Sequence, residues 1–370
     1  MLSFHRRAHE NAALEPLRTH QSTPSRTTCR GDNTVKFQRT ILPLFAALAA
    51  AGIALSGCSG AGEASNANAS AGATAAASDA SWPRTITHEA GETVIPTRPK
   101  NIASTSLSVT GTLLAIDAPV TTSAATNPSD VTDKQGFFSQ WADVAQERSV
   151  GVLYPNLEFD LEAVVAAAPD LIVVSTSGAD SAADHYKELS AIAPTIVVNY
   201  GSQSWQDLAL ELGKATGTES SAGAAVAKYD VHVKDVAAKI KLPAGESNIV
   251  SFNGAGQDNG VAKKTGSHAA VLESLGFKIA DVPEGLDTSE KARQDFAFVS
   301  FENLTKAANG NTVFLLSADE TLVKTFESEK VLANLPSVKS GQVHAMGPTS
   351  FRLDYYSSTQ LVDLLGETFS

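Results

Sequence analysis

The chain has 370 residues, with 28 basic and 40 acidic side chains and a net charge of −12. That length admits one large core or two lobes. The acidic balance excludes a nucleic-acid binder, which needs a basic face to neutralise phosphates.

The N-terminal 57 residues carry net +4, so residues 58–370 carry −16. Lys36 and Arg39 precede an uncharged apolar run, ILPLFAALAAAGIAL at 41–55. That run is shorter than the roughly 20 residues a spanning helix needs. Small residues follow and end in LSGC at 55–58. This is the pattern of an export signal over 35–57, and LSGC resembles a bacterial lipobox with Cys58 as the lipidated residue. A short anchor that stays uncut is the alternative. Residues 1–34 are long, polar and unpatterned, unlike an ordinary signal n-region. The expectation is that translation starts at Val35 through a non-ATG codon and that 1–34 is an extension not made by the cell. Cys29 and Cys58 are the only cysteines, so the mature fold has no disulfide and depends on its core. Residues 58–81 hold 18 Ala, Ser or Gly among 24. Such a segment buries too little apolar area to offset its ordering entropy and reads as a tether of about 27 Å root-mean-square span.

From Trp82 short apolar runs alternate with helical patterns. Residues 101–105, 170–176 and 194–200 read as strands, and 109–116, 161–168 and 182–192 as helices. The alternation predicts an α/β lobe over 82–217 with helices on the faces of its sheet. It resumes after residue 247, with strands at 248–253, 311–317 and 342–346 and helices at 268–276, 301–308 and 322–330, giving a second lobe over 242–370. Between them Val226, Tyr229, Val233, Val236 and Ile240 recur at helical spacing. Thr218 stands at the start of that stripe and Pro243 beyond its end, so one helix over 218–241 joins the lobes. A helical strut resists hinge bending, and small lobe movement is expected. The fold class is therefore two Rossmann-like lobes on a single long helix. A weak internal echo relates the lobes: 160–174 and 300–316 each place a glutamate, Glu162 or Glu302, at a helix start before an apolar strand. The helix dipole favours a carboxylate there whatever its function.

The chain lacks a G-x-S-x-G elbow and a free mature cysteine nucleophile. GAGQDNG at 254–260 has the wrong glycine spacing for a dinucleotide loop and reads as a flexible loop at a strand end bordering a cleft. The mature histidines, at 88, 185, 232, 268 and 344, show no metal-ligand spacing. Arg352, in FRLDYYSS at 351–358, follows the last strand and precedes a helical pattern. Ligands of open α/β sheets bind beyond the carboxyl ends of strands. A guanidinium contacts anionic oxygens in a planar fork and stacks on rings, so a polyanionic aromatic ligand suits it. A surface pair with Asp354 fits Arg352 equally well at this point.

The lipobox, the two lobes on one helix and the segments LSVTGTLLAIDAPV (107–120), DKQGFFSQWADVAQER (133–148), YKELSAIAPTIVVNYGSQSW (186–205) and FRLDYYSS resemble the iron–siderophore binding proteins of ABC importers, and among them the ferric-enterobactin branch. The resemblance covers essentially all of 84–370. It implies that the siderophore's catecholate oxygens wrap the iron and that the protein supplies no metal ligand and no cofactor. It further implies ligand contacts from Arg352 and Tyr355 in one lobe and from Phe137, Phe138 and Trp141 in the other. This chain departs from relatives at Ser139, where a basic residue is usual, and at NGVAKKTG (259–266), where an aromatic follows the first strand of the second lobe. Lys263 and Lys264 stand there as substitute cations, or as a solvated loop pair. The resemblance also implies that Glu162 and Glu302 dock onto arginines of the permease.

Bulk acidity does not oppose an anionic ligand. A tris-catecholate ferric complex of charge about −3 gains about 10 kcal/mol from one guanidinium at ~5 Å and an effective dielectric of 20, before desolvation. Sixteen excess negative charges at ~20 Å in salt repel it by only about 1 kcal/mol. The sequence thus reads as a monomeric, non-enzymatic lipoprotein on the outer face of the cytoplasmic membrane. It delivers a ferric catecholate siderophore to an ABC permease. A binding protein for haem or a corrinoid is the alternative within the class, and an exported α/β hydrolase the alternative outside it.

Overall fold

The computed structural model describes residues 81–289 and 293–370. The leader, Cys58 and the tether through residue 80 lie outside the described residues. An N-terminal hairpin comes first, β1 (Arg84–His88) and β2 (Gly91–Ile95). Its turn is tied to the first large sheet by the Glu89 amide, which donates to the Val197 carbonyl at 3.0 Å.

The first lobe then runs β3 (Ile102–Ser104), α1 (Leu107–Ala115), β4 (Val120–Ser123), α2 (Ser139–Glu147), β5 (Gly151–Val152), α3 (Leu161–Ala167), β6 (Leu171–Ser175), α4 (Tyr186–Ile192) and β7 (Thr195–Val198). Its five strands lie in the order β5-β4-β3-β6-β7, all parallel. Every residue of β6 and β7 is buried. This is why they read as unbroken apolar runs rather than alternating ones: both faces of a parallel sheet are covered by the crossover helices. A polar cap starts α3. Asp160 accepts from the amides of Glu162 and Ala163 at the head of α3.

Two helices lead to the second lobe. α5 (Trp205–Thr216) is capped by Ser204 and stopped by Gly217 in the left-handed conformation, φ 72°. α6 (Glu219–Ala237) follows at once. Its 19 residues make a rod of about 28 Å. Its buried face is Ala222, Ala225, Tyr229 and Val233, with Val226 and Val236 half-buried at its edge. The helix ends at Ala237, short of the expected 241, so Ile240 lies beyond it. The apolar stripe is thus rotated toward the alanines, which allow close packing: a Cβ on Gly213 of α5 would stand 2.9 Å from that of Ala222.

The second lobe comprises β8 (Ser247–Ser251), β9 (Asn259–Ala262), α7 (Ser267–Ser274), β10 (Phe296–Val299), α8 (Leu304–Ala307), β11 (Thr312–Leu315), α9 (Glu320–Ser328), α10 (Pro336–Ser340), β12 (Val343–Ala345) and α11 (Tyr355–Thr368). Its strand order is β10-β9-β8-β11-β12. β8, β11 and β12 are parallel, whereas β9 pairs antiparallel with both β8 and β10. The repeated alternation in sequence did not reveal this hairpin. The loop over 252–258 is too short for a parallel crossover, so β9 must run back alongside β8. A second difference concerns 301–308. Phe301 is buried against Phe252, ring centroids 6.4 Å apart, and 301–303 form a turn, so α8 begins only at Leu304. Glu302 therefore sits in the turn before a short helix, not in a first helical turn as Glu162 does.

α11 packs on α6 and also on α1 and α2 of the first lobe. One apolar core consequently runs from Leu113 and Trp141 through Leu212, Tyr229 and Leu361 to Ile249 and Phe314. The lobes share buried side chains rather than meeting only through the rod.

Candidate functional site

Arg352 lies between β12 and α11, and its loop is held at both ends. On one side Ser350 is pinned within the second lobe. The His268 Nε2–H donates to the Ser350 carbonyl at 2.9 Å, and the Ser317 amide donates to its Oγ at 3.0 Å. Burial pushes the His268 pKa down to about 4 against the pull of that carbonyl, so the ring is neutral and serves as a donor. On the other side Asp354 caps α11. It accepts from the Ser357 amide at 2.9 Å, while its own amide donates to Ser357 Oγ at 2.9 Å. Gln140 of α2 donates to Asp354 Oδ2 at 3.3 Å, which ties the cap to the first lobe. Gly111 of α1 leaves the space this requires; a Cβ there would collide with the carboxylate. The alternative of a surface pair between Arg352 and Asp354 is absent among the described residues, because the cap engages the carboxylate elsewhere.

Asp354 is 2% exposed, and burial raises its pKa to about 6, partly offset by bonds from Ser357 and Gln140. The folded protein thus binds a proton between pH ~4 and ~6 that the unfolded chain does not. Stability contributed by the neutral acid is lost as pH rises through about 6. Asparagine caps helices as well as aspartate does, so Asp354→Asn removes this dependence. Its stability relative to wild type should rise by about 2–3 kcal/mol between pH 4 and pH 7, read from urea unfolding at a series of pH values. A constant difference across that range refutes the assignment.

The Arg352 guanidinium borders a cleft of ≈ 740 Å³ between the lobes. It lies 4.7 Å from the Phe351 ring centroid and 5.9 Å from that of Tyr200. It takes part in none of the ion pairs among the described residues. Tyr200, at the carboxyl end of β7, is oriented by Asp180: its hydroxyl donates at 2.9 Å. Asp180 is buried and also accepts from Ser106 Oγ at 2.7 Å and the Ser108 amide at 2.8 Å. Burial and then the Asp180 charge raise the Tyr200 pKa to about 12, so the ring stays a neutral stacking face. Gly178, with φ 78°, makes room for that hydroxyl; a Cβ would strike it.

A second guanidinium reaches the same cleft. Arg293 forms a two-pronged bond to Asp295, 2.8 Å from Nε and 2.6 Å from Nη2, and stands 5.8 Å from the Phe298 ring centroid. Phe296, Phe298 and Trp205 complete the aromatic lining. Among the described residues no group of three or more His, Cys, Asp or Glu is placed to hold a metal ion. The cleft offers the Arg352 guanidinium, an Arg293–Asp295 pair, ring faces and hydroxyls.

Several residues expected at the site lie elsewhere. Phe137 and Trp141 are each 1% exposed, with ring centroids 5.3 Å apart, and belong to the core. They are four residues apart, so α2 and its lead-in turn both inward. This corrects their reading as ligand contacts. Phe138 is half-buried and faces the part of the inter-lobe gap beyond Arg352. Tyr355 packs edge-on against Trp205 at 5.5 Å and Tyr356 at 5.3 Å, in α11 rather than at the cleft. Lys263 binds Asp287 at 2.9 Å and the Arg293 carbonyl at 2.8 Å, and Lys264 is exposed; neither lines the cleft. The basic residue that does reach the cleft is Arg293, thirty residues along, with its partner Asp295 beside it. Glu162 and Glu302 are both exposed, one in each lobe. Tyr200, Phe298 and Arg293 carried no signal in sequence beyond the position of Tyr200 at a strand end.

Residues 102–349 match the family described as periplasmic binding protein. The chain belongs to that family. It is 41% identical over 298 residues to the ferric enterobactin-binding periplasmic protein FepB of Escherichia coli O6:H1, covering 80% of this chain and 93% of FepB. The crystal structure of holo-ViuP superposes with a TM-score of 0.74 at 41% identity, covering 78% of this chain and 96% of ViuP. The catecholate-siderophore binding protein VctP of Vibrio cholerae, at 18% identity and TM-score 0.53, shares the fold. No helix of the described residues is long and apolar enough to cross a membrane.

Proposed function

We propose that this chain binds a ferric catecholate siderophore in the inter-lobe cleft and delivers it to an ABC permease for iron uptake. The observation that carries this reading is the Arg352 guanidinium, in no ion pair among the described residues and 4.7 Å and 5.9 Å from the Phe351 and Tyr200 ring centroids, at a ≈ 740 Å³ space. A preassembled iron complex needs cations for its charge and ring faces for its catechols, and it brings its own metal ligands. The cleft volume falls within the range of small-molecule sites. The 41% identity to FepB over most of both chains supports the same ligand class.

The protein acts by binding and carries no cofactor; iron travels as the siderophore complex. It is a monomer, exported and held by lipid on Cys58, with Glu162 and Glu302 gripping the permease. Trp205 borders the cleft, so its fluorescence reports occupancy. Titration with ferric enterobactin should quench it at submicromolar concentration. Absence of quenching together with tight binding of haem, or turnover of ester substrates, overturns the reading.

A further inference from the structure

The inter-lobe gap does not end at Arg352. Beyond it lies a second chamber of ≈ 340 Å³, and Ser108, Ala179, Phe351 and Arg352 border both spaces. The two differ in chemistry. The larger holds Arg293 with its partner Asp295, and the rings of Tyr200 and Phe298. The smaller is walled by Leu107, Val131, Phe138 and Leu157 from the first lobe and Pro348 from the second, with Ser108, Thr126, Gln140, Ser317 and Thr349 as polar points. Its charged side chains are Arg352, shared with the larger chamber, and Asp180, whose carboxylate is already bonded to Ser106, Ser108 and Tyr200. A trianionic iron centre is favoured beside Arg352 in the larger chamber, which stays net positive because Arg293 offsets Asp295 there. In the smaller chamber Asp180 offsets Arg352, and its largely apolar walls disfavour further unpaired charge.

We infer that the smaller chamber is a separate subsite that takes a neutral aromatic or apolar arm of the siderophore, one not engaged on the iron, threaded past Arg352 from the larger chamber. This rests on the proposed function and adds a ligand class. Open-chain catecholates with a pendant uncharged arm fill both chambers, whereas compact three-fold ones, with every arm on the metal, fill only the larger. The volume of the smaller chamber lies within the range of small-molecule sites, and Arg352 at the junction serves both parts of such a ligand.

The test compares two probes on the full folded chain by tryptophan quenching. One is ferric enterobactin; the other is a synthetic ferric tris-catecholate carrying one benzyl-amide arm free of the iron. Two substitutions fill the smaller chamber from opposite walls, Val131→Phe from the first lobe and Pro348→Trp at an exposed position of the second. Each should weaken the armed complex at least tenfold and change ferric enterobactin less than twofold, with unfolding midpoints near wild type. Equal losses for both probes, or no loss for either, overturn the subsite while leaving the functional reading intact. Failure of both probes to bind the wild type overturns the functional reading and the subsite with it. Because the two substitutions sit on different lobes, misfolding of one leaves the other decisive.

Discussion

Arg352→Ala should weaken binding of ferric enterobactin roughly 10- to 150-fold, the about 1.5–3 kcal/mol of a charge-assisted contact. The fold should remain. The loop around the guanidinium is fixed by the His268–Ser350 bond and the Asp354 cap, neither of which uses the Arg352 side chain. Arg352→Lys separates charge from shape. An ammonium keeps the Coulombic attraction but loses the planar face that lies between Phe351 and Tyr200. Its affinity should fall between those of wild type and Arg352→Ala, and the loss for the alanine variant should shrink in high salt. Equal affinity of wild type and Arg352→Ala, measured by fluorescence titration at low salt, would remove the guanidinium from the site.

Replacing both Glu162 and Glu302 by alanine should abolish iron import while leaving siderophore affinity unchanged. Both side chains are exposed, one per lobe, and neither borders the cleft. Glu162 is presented in the first turn of α3, whose amides Asp160 already satisfies, so its carboxylate is available to a partner. Glu302 sits in the turn before α8 with its carbonyl bonded by Thr305 at 2.9 Å. A transporter that must hold both lobes at once loses two charge-assisted contacts in the double variant, together about 3–6 kcal/mol. Uptake of radiolabelled iron by a strain relying on this protein measures the effect. Normal uptake by the double variant, with normal protein levels, removes the docking role.

Much of the architecture was written in local pattern. Fully buried strands such as β6 and β7 must be apolar at every position, and runs of that kind are visible without coordinates. α6 announced itself by helical spacing, and the helical pattern expected after Arg352 is α11. Arg352 was legible because it stands between a strand and a helix, where α/β folds open their clefts. The aromatic run at 137–141 misled because ring content does not say which way a helix turns its side chains. Only Phe138 looks into the gap; Phe137 and Trp141 face the core.

The charged residues show the same division. Lys263 and Lys264 looked free beside the cleft, but Asp287, distant in sequence, folds back to neutralise Lys263. Arg293 reached the cleft from a stretch with no motif at all. What the sequence alone determined was export, the α/β class, the joining helix and the one arginine at a strand end, because each depends on spacing within a few turns of chain. Tertiary structure decided which cations and rings meet, since Tyr200, the Arg293–Phe298 stretch and Arg352 come from three separate segments. It also decided that the gap continues past Arg352, because its walls come from both lobes. Pairing across such distances in the chain is set by packing of the whole core, which no local pattern records.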